Sequence, residues 1–131
     1  MSSKGILTID IFPPTVNHYI RAGIKRYGFR TIPYVYKTSR AKEWIDYVAI
    51  LIHEQKLFRK FLDKEVKIKI EVFYSKSNID IDNLLKCILD ALVAGEVITD
   101  DNVKYVKSCQ IVAKKRVEKG KEKIVVYIID L

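Results

Sequence analysis

Apolar and polar positions alternate, or recur every three to four residues, along most of the chain, and the period changes several times. From Ile6 to Phe12, Leu7, Ile9 and Ile11 oppose Thr8 and Asp10, a period of two that predicts a strand. Pro13-Pro14 ends it, because proline lacks the N–H for a ladder and restricts the residue before it. Thr15 to Lys37 holds Gly23, Gly28 and Pro33 and has no helical period; it reads as a long loop with room for a short hairpin around Tyr34-Val35-Tyr36. From Ser39 to Phe61, Trp44, Tyr47, Val48, Leu51 and Ile52 recur at i, i+3, i+4, i+7 and i+8, the stripe of an amphipathic helix, with Thr38 or Ser39 as N-cap. Val66 to Tyr74 alternates again, setting Val66, Ile68, Ile70, Val72 and Tyr74 against Lys67, Lys69 and Glu71.

A second helix is predicted from Asp82 to Ala94, with a broad apolar face of Leu84, Leu85, Ile88, Leu89, Ala91 and Leu92 and with Gly95 at its C-terminal cap. Two further strands, Val103 to Val117 and Lys123 to Asp130, are expected to pair as a hairpin turning at Gly120. The order β-loop-α-β-α-β-β predicts one α/β (α+β) domain over residues 1–131, a mixed sheet with two main helices packed on it.

Composition narrows the function classes. The chain has 131 residues, 49% of them hydrophobic, enough for a core and too many for disorder. No apolar run reaches the roughly 18 residues of a membrane span, and no signal-peptide core precedes the first strand. The two cysteines, Cys87 and Cys109, lack metal-ligand spacing and are expected to be buried thiols of a reducing compartment. The formal charge of +8 and the pI near 9.4 suggest a polyanionic partner.

That charge is unevenly spread. Between Ile11 and Lys42 there is no acid, while Arg21, Lys25, Arg26, Arg30, Lys37, Arg40 and Lys42 are interleaved with Tyr19, Tyr27, Phe29, Tyr34 and Tyr36. Such a segment can hold phosphates and stack on bases, or can be a solvated loop pinned by its aromatics. Between Ser77 and Asn102 the balance inverts: Asp80, Asp82, Asp90, Glu96, Asp100 and Asp101 stand against Lys86 alone. Carboxylates repel a polyanion unless a divalent cation lies between them and the phosphate, as in metal-dependent nucleases.

Asp80 and Asp82 share a face if extended, and could share one metal ion. Lys86 lies one helical turn beyond Asp82 and could meet developing charge on a phosphate. Asp100-Asp101 joins them only if the chain returns along a helix about 20 Å long. The plainer roles are an N-cap for Asp82, a turn for Asp80, an ion pair for Lys86 and a solvated turn for Asp100-Asp101. The two histidines, His18 and His53, are far apart, and no nucleophile elbow or phosphate-binding glycine loop occurs.

Two blocks resemble the RusA family of Holliday junction resolvases. One is Phe12-Pro13-Pro14-Thr15-Val16-Asn17-His18-Tyr19. The other is Asp80-Ile81-Asp82-Asn83-Leu84-Leu85-Lys86, running through Leu89-Asp90-Ala91-Leu92 to Asp100-Asp101. The resemblance implies a Mg²⁺- or Mn²⁺-dependent homodimer that cuts branched DNA by paired, symmetric nicks in the bacterial cytoplasm, encoded by cell, prophage or phage. It implies metal binding by Asp80, Asp82 and Asp101, and a catalytic role for Lys86. Where some relatives carry arginines before the first aspartate, Ser75-Lys76-Ser77-Asn78 has one base. More of the DNA contact then falls on Asn17, Arg21, Lys25, Arg26, Arg30, Lys37 and Arg40, beside Lys76. The competing readings are a non-catalytic branched-DNA-binding module of the same fold, a general or RNA-directed nuclease, and a basic ribonucleoprotein component.

Overall fold

The computed structural model describes residues 3–15, 20–27 and 30–131, with 20–27 and 30–36 described by their backbone. Its elements are β1 (Lys4–Ile9), β2 (Ile20–Tyr27), β3 (Arg30–Lys37), α1 (Ser39–Glu54), β4 (Val66–Tyr74), α2 (Ile81–Ala94), β5 (Val106–Arg116) and β6 (Lys123–Asp130). The architecture is the expected α+β one, a mixed four-stranded sheet with two helices. The stretch read as a loop carries the hairpin β2–β3, paired in register from Ile20↔Lys37 to Tyr27↔Arg30. It is longer than the hairpin anticipated around Tyr34-Val35-Tyr36, because Gly23 and Pro33 are tolerated in a two-stranded ribbon whose edges need no further partner.

Sheet order is β1-β6-β4-β5. β4 runs parallel to β5 and antiparallel to β6, so α2 is the crossover of a β-α-β unit. This corrects the expected β5–β6 hairpin. The chain does turn at Gly120, where φ is +94°, but β6 then passes to the far side of β4 and pairs with β1 as well. Continuous burial explains the choice: Ile124, Val125 and Val126 are all buried, as befits an interior strand, whereas most of β5 is exposed, as befits an edge. Cys109 lies on that edge and is exposed, not buried as its residue type suggested; Cys87 is buried.

Helices cover one face of the sheet. α1 buries Ala41, Trp44, Val48 and Ile52; α2 buries Leu84, Cys87, Ile88, Ala91 and Leu92. They close on Leu7, Ile9, Ile68, Ile70, Ile124, Val126 and Ile128. The Trp44 indole donates to the Ile11 carbonyl at 2.8 Å, which holds the chain leaving β1 against α1.

α1 stops at Glu54, although apolar residues continue to Phe61. Lys56 takes a left-handed φ of 62°, and the Lys56 and Leu57 amides donate back to His53 and Ile52 at 3.1 and 2.9 Å. This is a Schellman ending, with lysine where glycine is usual. Gln55 then pairs with both backbone groups of Thr8, each at 2.8 Å, which satisfies the free edge of β1. α2 ends the same way: Glu96 carries the positive φ, and Val97 donates to Leu92 at 2.9 Å. At Gly95 the helices approach closely, since a Cβ would lie 2.4 Å from Ile52 Cδ1 and would displace that side chain. Among the described residues no helix is long and apolar enough to cross a membrane.

Candidate active site

The crossover geometry decides where each candidate carboxylate can be. β4 delivers the chain, through residues 75–79, to the N-terminus of α2. There Asp80 is the N-cap: its Oδ1 accepts from the Asp82 amide at 3.0 Å. The capping role anticipated for Asp82 therefore belongs to Asp80, and Asp82 occupies the first turn. Both are exposed. Neither makes an ion pair among the described residues, so two carboxylates of like charge stand two residues apart with water around them. The partial positive charge of the helix end offsets part of that repulsion.

The two sequence blocks meet at this point. Asn83 Nδ2 donates to the Pro14 carbonyl at 3.4 Å across 69 residues of sequence, and the Cys87 thiol lies 3.7 Å from Asn83 Oδ1. Phe12, Pro13, Thr15, Lys76, Ile79, Asp80 and Asn83 line a cavity of about 400 Å³. Its lining is mainly apolar and includes one carboxylate and one lysine. Asn83 is a site residue to which the sequence reading gave no role. Its signal was its place between Asp82 and Leu84 in the acidic block.

Lys86 is exposed on the next turn, in line with Asp82 at i+4. Asp90, four residues further, faces Lys37 Nζ at 3.7 Å, so the base of the β2–β3 hairpin is held to the same edge of α2. Lys37, expected on DNA, is thus engaged by a carboxylate. Arg40 is exposed and lines a neighbouring cavity with Trp44 and Tyr47. Arg21, Lys25, Arg26 and Arg30 lie on the backbone of β2 and β3, and Asn17 lies outside the described residues.

Asp101 stands apart. β5 is parallel to β4, with Val66 opposite Val106, so the loop before β5 lies at the end of the sheet where β4 begins. The tie from the Asp63 amide to Thr99 Oγ1, the bridge of Phe61 to Ile98 and the bond from Val66 N to Tyr105 O fix that loop there. Asp80 lies beyond the opposite end, a helix length of about 21 Å away. Asp100 turns inward to its own loop, accepting from the Asp101 amide at 2.8 Å and from Asn102 Nδ2 at 3.0 Å. Among the described residues, the chain therefore gathers Asp80, Asp82, Asn83, Lys76 and Lys86 at one end of the sheet and leaves Asp101 at the other, and no group of three metal-ligating side chains converges.

A family model described as Endodeoxyribonuclease RusA matches residues 11–129. No curated protein matches the chain significantly.

Proposed function

The chain belongs to the RusA endodeoxyribonuclease family, and from that premise we propose that it is a Mg²⁺- or Mn²⁺-dependent Holliday junction resolvase of the bacterial cytoplasm, acting as a homodimer that places paired nicks. The observation that carries the reading is the exposed Asp80–Asp82 pair at the start of α2, with Asp80 lining a cavity, in a protein with a net charge of +8. An uncompensated anionic pair opposes a phosphate unless a cation separates them; at about 4 Å each like-charge contact costs roughly 1 kcal/mol in water and about 4 near a protein surface.

The residues present fit such a cation. Asp80 and Asp82 offer carboxylate oxygens, the donors Mg²⁺ and Mn²⁺ prefer, and among the described residues Asp80 Oδ2 takes no hydrogen bond while Oδ1 caps the helix. A bound divalent ion would lower the pKa of a water and draw charge from the attacked phosphoryl oxygen. The protein's own groups do the rest. Lys86 and Lys76 bring positive charge to the two sides of the pair, where negative charge develops. Asn83 holds the Pro14 segment, and with it Phe12 and Pro13, as the cavity wall.

The third carboxylate supports the dimer. Side chains cannot close about 21 Å, so Asp101 reaches the pair only from a second protomer. Ile81, Leu85, Leu89 and Val93 recur at i, i+4 along α2 and are only partly covered. Two such helices packed antiparallel about a twofold axis put the N-terminus of each beside the C-terminal loop of the other. Two identical centres also suit the pseudo-twofold symmetry of a four-way junction. The same separation favours, as a second reading, a branched-DNA-binding module that never cuts.

The test is cleavage of a synthetic four-way junction with Mg²⁺, with Mn²⁺ and with EDTA, beside a linear duplex of the same sequence. Paired nicks on the junction alone, abolished by EDTA, are expected. Junction binding without cutting under every metal condition would replace the resolvase with the binding module.

A further inference from the structure

Among the described residues, no helix covers the second face of the sheet. Strand alternation turns Lys4, Lys67, Lys69, Lys115 and Lys123 onto it, all exposed, around a strip formed by Ile6, Val125, Tyr127 and Ile129. We infer that this face is a docking surface for the phosphate backbone of a duplex DNA arm, separate from the carboxylate end. The inference rests on the reading that the substrate is branched DNA.

Charge complementarity selects the occupant. At the paired positions of this face the one carboxylate is Glu71, and it is already closed off. The Tyr127 phenol donates to it, and Lys114 Nζ lies 3.3 Å from it; together they hold the Glu71 carboxyl below its ordinary range against the opposing effect of burial. The remaining lysines make no ion pair among the described residues. A second copy seated face to face would set lysine on lysine with no acid left to answer.

The aromatic groups point the same way. Lys123 Nζ lies 4.9 Å from the Phe73 ring centroid, and Lys4 Nζ lies 5.9 Å from that of Tyr127. Each ammonium lies across its ring, so the rings hold cations at the surface and are not free to stack on bases. That suits backbone binding, which positions DNA without reading its sequence. The platform is large enough. β4 has nine residues, about 30 Å at 3.3 Å per residue, which matches roughly nine base pairs at 3.4 Å each. A shallow depression of about 350 Å³ between Lys4, Lys69, Tyr127 and Ile129 gives the surface relief. The carboxylate pair lies beyond the C-terminal end of β4, on the helix that covers the opposite face, so an arm held here does not occupy the candidate active site.

The test is the triple variant Lys67→Ala, Lys69→Ala, Lys123→Ala, none of which touches the candidate active site. Fluorescence anisotropy with labelled four-way junction and labelled duplex, in EDTA at 50–300 mM salt, reads affinity and its salt dependence. Each lost phosphate contact lowers the log–log salt slope by about 0.9, so a reduction of two to three and at least about ten-fold weaker binding at 0.1 M are expected. Cutting at saturating junction should be unchanged. An unchanged slope and affinity in a variant that melts like the wild type would overturn the inference while leaving the nuclease reading intact. So would a change of oligomeric state in sedimentation, which would give the face to a second copy. Wild-type protein that binds no DNA at any salt would overturn both.

Discussion

Replacing Asp80 separates two jobs assigned to one carboxylate, the observed helix cap and the proposed metal ligand. As N-cap of a 14-residue helix it accepts the Asp82 amide at 3.0 Å; as a metal ligand it would contribute charge. Asp80→Ala removes both. Loss of a cap costs about 1 kcal/mol, and for a domain of 131 residues that lowers the melting temperature by about 3–5 °C. Asp80→Asn keeps an equally good capping oxygen and loses only the charge. A charge in the first helical turn is worth about 0.3–1 kcal/mol, but removing this one also relieves repulsion from Asp82. The net shift should be a few tenths of a kcal/mol, within about 2 °C. Thermal unfolding by circular dichroism, run beside junction cutting with Mn²⁺, reads the two jobs apart. Both variants should lose cutting at least about a hundred-fold and keep junction binding in EDTA, and only the alanine variant should melt early. Wild-type cutting by Asp80→Asn would refute the ligand role. An alanine variant melting like the wild type would refute the cap.

Three further outcomes follow from named contacts. Asp82→Asn should nearly abolish cutting and retain junction binding; nicking at the wild-type rate would remove Asp82 from the proposed metal site. Phe61, fully buried beneath Gly5 and bridged to Ile98, should cost about 3–5 kcal/mol when cut to alanine, measured by urea unfolding; a loss under about 1 kcal/mol would mean the turn after α1 does not seal the core. Glu71 is lowered from 4.5, first by the Tyr127 hydroxyl and then by Lys114, so it contributes stability above its unfolded value that fades as pH falls through the lower folded one. Glu71→Gln should therefore flatten the acid side of the stability profile below about pH 4.5, and an unaltered profile would deny the coupling.

Much of the fold was legible because local pattern and final burial agree. β4 alternates in the sequence and in the structure, and α2 buries Leu84, Ile88, Ala91 and Leu92 of its predicted stripe, with Leu85 and Leu89 only partly covered. Errors arose where a non-local partner decided. The short link at Gly120 suggested a hairpin, but the apolar run of β6 sends that strand between β1 and β4, a choice that only long-range pairing reveals. α1 ends on the left-handed Lys56, not on a glycine or proline, so no helix-stop residue announced it. The candidate site was half legible. The short spacing of Asp80, Asp82 and Lys86 fixes them on one helix end, whereas the meeting of Asn83 with Pro14 and the distance of Asp101 both depend on how β5 is laid beside β4.

Mixing of inactive subunits tests the proposed composite centre most directly. Dimers formed from one Asp80→Asn subunit and one Asp101→Asn subunit, purified on two tags, contain one complete site if each site draws Asp80 and Asp82 from one protomer and Asp101 from the other. Such dimers are predicted to nick one junction strand with Mg²⁺, while each variant alone cuts neither. Mixed dimers that bind the junction and leave it whole, alongside wild-type protein that cuts, would contradict the shared site.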